Sequence, residues 1–434
     1  MANTATRMRV RRLAIVAIAT ATVALGSGGA VAAGLVEAVP ATEAASVKGP
    51  PPSPFASRDR LVRLDYGYME SNVAPRGVDR ARNRIALAPA EASVDIALFP
   101  DLSVTLDRIS LKKADLGGFV WTGTIRGDSG YALLIVSDDQ ITGQVQIGTR
   151  VFRISPVSGA VHRVSEIDPG SFPPEESIPA PAPRQPSAAP ESSGNEEAKT
   201  RIRVLIPYTK NARAQSGHIV QDAKLAIANA NLAADNAGVK ISYRLAATAL
   251  VRRYQERGFL KDLKKLTGGK GPFARIRKLR NRKKADLVAL LRKDSKRYCG
   301  LGWYIETPSK STANRGFTVT AHGCVTNHSV THEIGHNSGL EHDRYQLVNG
   351  EDRPNPPSSD YNFGYTNVGA EIMSVMAYHT ECSARGKSCT RVPMFSSPTR
   401  TYNGDTMGIA AGQSNAADAA RRMNETRKGV ASYR

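Results

Sequence analysis

A chain of 434 residues is too long for one typical core, so two folded domains with non-domain segments around them are expected. A hydrophobic fraction of 41% is ordinary for a globular protein and enough to bury sizeable cores. The net charge of +20 arises wholly after residue 200, where 38 Lys/Arg face 18 Asp/Glu, and no helix-turn-helix, finger or stacking motif accompanies it, so nucleic acid is not an expected partner.

Arg7, Arg9, Arg11 and Arg12 open the chain with positive charge, residues 13–25 are apolar, and Ala30-Val31-Ala32 offers a small-residue cleavage site. Residues 1–32 therefore read as a secretory signal peptide. The apolar run is interrupted at Gly26, short of the roughly twenty residues that span a bilayer. No other long apolar segment follows, so the mature chain is expected to be secreted, with no membrane span. Residues 33–57, rich in Ala and Pro, read as a flexible lead-in.

Over 58–170 the pattern becomes short runs of β-formers at 94–98, 103–109, 118–125, 132–136, 141–147 and 151–154, separated by Gly, Asp and Ser. This predicts a small β-rich domain, antiparallel, without a catalytic cluster. Residues 171–200, rich in Pro, Ala, Ser and Glu, read as a linker and as the natural place for proteolytic separation of the two halves.

From residue 201 strands alternate with helices. Strand-like runs occur at 202–207, 239–245 and 285–291, a long helical stretch at 219–236 ends at Gly238, and a short helix is expected at 259–266. The alternation predicts an α/β (α+β) domain over 201–434, with helices packed on a mostly parallel twisted sheet. Residues 317–322 form a further strand, the candidate rail on which an extended peptide would pair through its backbone. All four cysteines fall in this half. In an exported chain they read as two disulfides with three possible connectivities, and Cys299–Cys324 with Cys382–Cys389 is preferred because each pair closes a short loop.

The chemistry concentrates in residues 331–343, which read HExxHxxGxxH followed by Asp343. On a helix, His332 and His336 leave one face one turn apart and can bind one metal ion together. Glu333 points to a neighbouring side, where a carboxylate can deprotonate a metal-bound water without being a ligand. Gly339 sits where the helix must stop and turn, which brings His342 round as the third ligand. Three imidazoles leave a tetrahedral zinc one open position, the catalytic arrangement.

These residues resemble the metzincin clan of zinc endopeptidases: His332, His336 and His342 match its ligands to one catalytic Zn2+, Glu333 its general base and Gly339 its turn glycine. The clan's methionine beneath the metal is matched by Met376 in Ile372-Met373-Ser374-Val375-Met376-Ala377-Tyr378. Asp343 is similar to the structural Asp of the reprolysin, or adamalysin, group. Tyr378 is similar instead to the Tyr that approaches zinc in astacins and serralysins, where it stabilises the tetrahedral intermediate. Cys299-Gly300-Leu301-Gly302-Trp303, Phe395-Ser396-Ser397-Pro398 and Asn415-Ala416-Ala417 resemble secreted bacterial reprolysin-like enzymes of the peptidyl-Asp metalloendopeptidase type. The resemblance implies a metzincin-like catalytic domain with an active-site helix, preceded by a propeptide domain, and a substrate pocket lined from within 376–398. The upstream domain has no cysteine, which excludes a cysteine-based latency. Asp128 in Arg126-Gly127-Asp128 is faintly similar to the zinc-blocking Gly-Asp of astacin propeptides, but reads as a turn.

The expectation is thus a secreted zinc-dependent endopeptidase that hydrolyses extracellular proteins or peptides, made as a preproenzyme with its own propeptide as a partner, and monomeric; a calcium site is left open. The other reading is a non-proteolytic envelope or polyanion-binding protein that keeps the metzincin fold. Its working surface would be the belt at 252–297, which holds 18 basic and 4 acidic residues. The intact Glu333 argues against it.

Overall fold

Period-two alternation builds the first half. In Ser93–Phe99 the side chains of Val94, Ile96 and Leu98 are buried on one face while Asp95 is exposed on the other. The structure, a computed structural model, describes residues 35–69, 78–79, 84–85, 93–181 and 198–434; the expected signal peptide at 1–32 and residues 182–197 of the expected linker lie outside the described residues. Seven strands follow one another as an antiparallel meander: Ser93–Phe99, Leu102–Lys113, Phe119–Ile125, Gly130–Ser137, Gln140–Ile147, Arg150–Ser158 and Val161–Ile167. Ala56–Leu64 pairs with the last, and Val36–Ala38 pairs with Ala56–Leu64, which completes nine strands.

The lead-in expected at 33–57 is corrected by this sheet. Val36–Ala38 is its edge strand, Ala56–Leu64 starts before residue 58, and Leu35 and Phe55 are buried. An Ala/Pro-rich composition conceals these two apolar anchors, and burying each contributes about 1.5–3 kcal/mol.

The central strands are covered on both faces. In Gly130–Ser137, Ala132, Leu134 and Val136 join Trp121 and Phe152 in the β domain's own core, whereas Tyr131, Leu133 and Ile135 join the core of the second half. The element they meet is the long helix Ile219–Asn236, 13 of whose 18 residues are buried because a layer lies on either side of it. Two of its buried charged residues are paired with the β domain. Lys224 donates to Ser137 Oγ at 2.8 Å and to Asp138 at 3.1 Å, and Asp222 is ion-paired with Arg153.

The second half is a mixed α/β layer. Its six-stranded sheet runs in the order Glu175–Pro179, Gly300–Tyr304, Phe317–Ala321, Leu287–Arg292, Thr200–Tyr208, Ile241–Leu250, with only the Gly300–Tyr304/Phe317–Ala321 pair antiparallel. Two expectations change here. The expected linker at 171–200 contains a strand, Glu175–Pro179, and its last residue begins another, Thr200–Tyr208. The expected rail is an interior strand: Phe317–Ala321 is buried throughout, with a partner strand on each side. Gly300–Tyr304 is the rim strand instead, and Glu175–Pro179 covers it in parallel register, Glu175 opposite Gly300. The basic belt is partly structural. Arg292 is buried at 4.3 Å over the Phe259 ring and 3.5 Å from Asp262, and Arg280 donates to Ala285 O at 3.0 Å. Among the described residues no helix is long and apolar enough to cross a membrane.

Candidate active site

The active-site helix Ser329–His336 is buried along its whole length. It rests on Met376, whose Sδ lies where a Cβ on Gly335 would come within 2.6 Å, so the small residue between the two histidines lets the methionine floor approach. The chain leaves the helix at Gly339 with φ +92°, the left-handed region in which glycine carries no steric penalty.

Each imidazole is oriented by an acceptor on Nδ1: Val375 O at 2.8 Å from His332, Leu340 O at 2.8 Å from His336, and Glu351 Oε1 at 2.5 Å from His342. The Nδ1 proton is thereby fixed and the Nε2 lone pair is left free, as metal-binding histidines require. The Nε2 atoms of His332 and His336 are 3.0 Å apart, and the ligand atoms of all three rings lie within 4.8 Å of one another. Lone pairs so close repel unless a cation lies between them, so the donor set fits zinc. Burial, followed by the neighbouring ring's charge, holds His332 and His336 well below the ordinary imidazole value and keeps both neutral.

Glu333 is fully buried, and neither of its oxygens has a hydrogen-bond partner among the described residues. Room for it is made by the rim strand. A Cβ on Gly300 would come within 2.1 Å of Oε1, and one on Gly302 within 2.7 Å of Oε2. Burial, reinforced by Glu175, drives its pKa well above the usual carboxylate range.

Asp343 and Tyr378 prove to be two ends of one contact. The Asp343 carboxylate accepts from the backbone N–H of Tyr378 and of Gln346, each at 2.9 Å, and burial pushes its pKa up to about 6. This carboxylate ties the segment after the third histidine to the turn that follows Met376. It thereby sets the Tyr378 hydroxyl 3.3 Å from His342 Nε2. The two residues that pointed to different branches of the clan therefore coexist without conflict. Both preferred disulfides are formed. Cys299–Cys324 joins the start of the rim strand to the turn before the active-site helix, and Cys382–Cys389 closes the loop that leads into Arg391. Asp128 lies in an exposed turn and accepts from Ser129 N at 2.6 Å, remote in role from the histidines.

Sequence reasoning does not single out Glu351, Arg391 or Glu175. Arg391 lies within 376–398, the stretch expected to line the substrate pocket, and is buried in an ion pair with Glu175 at 2.7 Å. The Tyr378 hydroxyl donates to the Glu175 carbonyl oxygen. A glutamate in a Pro-rich stretch carries no local signal of such a role.

Comparison with known proteins adds independent findings. Residues 198–396 match the reprolysin-type family described as Metallo-peptidase family M12. The chain is 27% identical over 407 residues to a peptidyl-Asp metalloendopeptidase of Xanthomonas campestris, covering 88% of this chain and 87% of the relative. It is 29% identical over 346 residues to a protein of the same name from Stenotrophomonas maltophilia, covering 73% and 78%. Among solved structures, metalloproteinase-II from Bacteroides fragilis aligns with a TM-score of 0.38 at 12% identity, covering 59% of this chain and 83% of that one.

Proposed function

We propose, for a chain whose residues 198–396 belong to the reprolysin-type metallopeptidases of family M12, that this metalloendopeptidase is exported as a precursor and hydrolyses peptide bonds of extracellular proteins with one zinc ion held by His332, His336 and His342. The precursor comprises the signal peptide 1–32, the β-rich domain that ends near residue 170 as propeptide, and the catalytic domain 201–434. The name shared by the two bacterial relatives suggests bonds beside aspartate as the substrate class.

When bound, zinc supplies a Lewis acid that polarises the scissile carbonyl and lowers the pKa of water towards neutrality. Glu333 takes the proton of the attacking water and returns it to the leaving amine; with no partner among the described residues, its oxygens are available for that transfer. The Tyr378 hydroxyl donates to the oxyanion as the carbonyl carbon becomes tetrahedral. Burial, then Glu175, raises its pKa well above 10, so it remains a donor. The rim strand Gly300–Tyr304 offers backbone groups to an extended substrate. Met376 and Asp343 are positioning residues.

The observation that carries this reading is the convergence of three buried imidazoles beside a buried carboxylate that has no hydrogen-bond partner among the described residues. The full chain, loaded with zinc and allowed to process, should hydrolyse a denatured protein, stop with a chelator and resume with zinc. Glu333→Ala should bind zinc at wild-type stoichiometry yet lose hydrolysis; a fully active Glu333→Ala would falsify the mechanism.

A further inference from the structure

Beside Tyr378 lies a recess whose polar groups are all arranged for a carboxylate. Arg391 is 4% exposed, and two backbone carbonyls, Asn327 O at 3.0 Å and Ala377 O at 2.8 Å, fix its guanidinium. The same two terminal nitrogens also meet both oxygens of Glu175, at 2.7 and 3.2 Å, while Nε has no partner among the described residues. Ser329 Oγ at 2.6 Å and Asn327 Nδ2 at 3.2 Å donate to the same Glu175 oxygen. Among the described residues Glu175 is the only acidic partner of Arg391. The catalytic domain by itself therefore buries a cation and two further donors around a place for an anion that it does not supply, an arrangement that is costly unless something fills it.

Ser329 begins the helix that carries the histidines, and Arg391 donates to the carbonyl next to Tyr378, so the recess adjoins the reacting centre. Glu175 is placed in it by a strand that also covers the rim backbone and engages the Tyr378 hydroxyl. The Pro174 carbonyl, on the N-terminal side of Glu175, accepts from Cys299 N–H at 2.8 Å. The carbonyl presented to Tyr378 is thus that of Glu175, and the bond before the acid stays held in the sheet.

We propose that Arg391, Ser329 and Asn327 form the subsite that reads an acidic side chain next to the scissile bond, and that Glu175 occupies this subsite in the uncleaved chain and keeps the precursor shut. The proposal rests on the peptidase reading above and adds its specificity-determining residue and its internal inhibitor. The block is non-covalent: one carboxylate, one backbone strand and one tyrosine contact are displaced together.

Two arms test it on the full chain. In the first, freshly purified uncleaved precursors are given a quenched peptide containing one aspartate. Glu175→Ala should hydrolyse it at least about tenfold faster than wild type, the loss expected when a charged hydrogen-bonded anchor is removed. Glu175→Asp, which keeps the charge, should stay slow, and Glu176→Ala, which removes an exposed carboxylate, should match wild type. The second arm needs no activity. In a Glu333→Ala background, N-acetyl-aspartate amide should raise the unfolding temperature of Glu175→Ala saturably, N-acetyl-asparagine amide should not, and neither should act on the chain with Glu175 present. The neutral pair Glu175→Gln with Arg391→Gln, which avoids an unpaired buried cation, should fold and show no discrimination between the probes. Equal binding of the two amides, or aspartate preference that survives Arg391→Gln, overturns the subsite. A Glu175→Ala precursor no faster than Glu176→Ala, while processed enzyme is active, overturns the block. A chain inactive in every form would refute the peptidase reading and leave the second arm to decide the subsite.

Discussion

Glu333 and Glu175 are buried carboxylates in the same cleft, held under opposite conditions. Among the described residues Glu333 has no hydrogen-bond partner, and its oxygens lie against Gly300 and Gly302 of the rim strand. Glu175 has Arg391, Ser329 and Asn327 on its oxygens. Leaving a buried carboxylate without partners is costly, so the fold keeps one only where a reactant completes it. A saturated one is stable, and when it belongs to a removable segment it marks what must be displaced. The contrast makes predictions about both regions.

The largest effect is expected where the space around Glu333 is taken away. Gly300→Ala puts a methyl within 2.1 Å of Oε1 and must move the carboxylate off its line. Turnover of processed enzyme should fall about 10²–10⁴-fold, the range of a lost general base, with zinc content unchanged. If Gly300→Ala turns over at the wild-type rate, the free carboxylate is not poised as described.

Tyr378 joins the two regions, since its hydroxyl touches both His342 and the Glu175 carbonyl. Tyr378→Phe should lower kcat about 10²-fold with little change in KM, as for one lost oxyanion donor. It should also quicken cleavage of the uncleaved chain by added wild-type enzyme, because the strand loses a tether. A drop in kcat without faster processing would separate the two roles.

Glu351 is a partnered carboxylate outside the cleft, on His342 Nδ1 and 3.6 Å from Arg353. Glu351→Gln should weaken zinc binding about 10–100-fold, read by competition with a chelating dye, and leave turnover at saturating zinc nearly unchanged.

How much of this could be read in advance follows the distance over which each signal acts. The histidines are legible because helical spacing and one glycine turn are local, and the six β runs because period two is local. The rim strand was hidden by its own function. In the sequence Gly300 and Gly302 stand out only through the resemblance carried by residues 299–303, yet they are small because Glu333 needs their space. Glu175–Pro179 looks like linker because its strand character comes from the partner backbone it lies on, and the ion pair to Arg391 joins residues 216 apart. Nothing in the composition of either stretch encodes that meeting.

A third buried carboxylate can break the contrast. Asp286, 3% exposed, accepts from Arg203 N–H at 2.8 Å through one oxygen, while the other has no hydrogen-bond partner among the described residues, and it adjoins neither the histidines nor the recess. If a missing partner marks function only beside a site, Asp286 should affect stability alone. Burial raises its pKa from 3.8 to about 6. The folded chain therefore binds this proton more tightly than the unfolded chain does. The stability it contributes is full below about pH 3.8 and is lost as pH rises through about 6. A shift of that size corresponds to about 3 kcal/mol, and solvent screening brings the expected change to about 1–2 kcal/mol. Denaturant unfolding of Asp286→Asn between pH 4 and 7 should lack that decline, while kcat/KM at pH 7 stays within about twofold of wild type. If kcat/KM instead falls by orders of magnitude with stability intact, an unpartnered buried oxygen marks function wherever it occurs in this fold, and position beside the cleft is not what distinguishes Glu333.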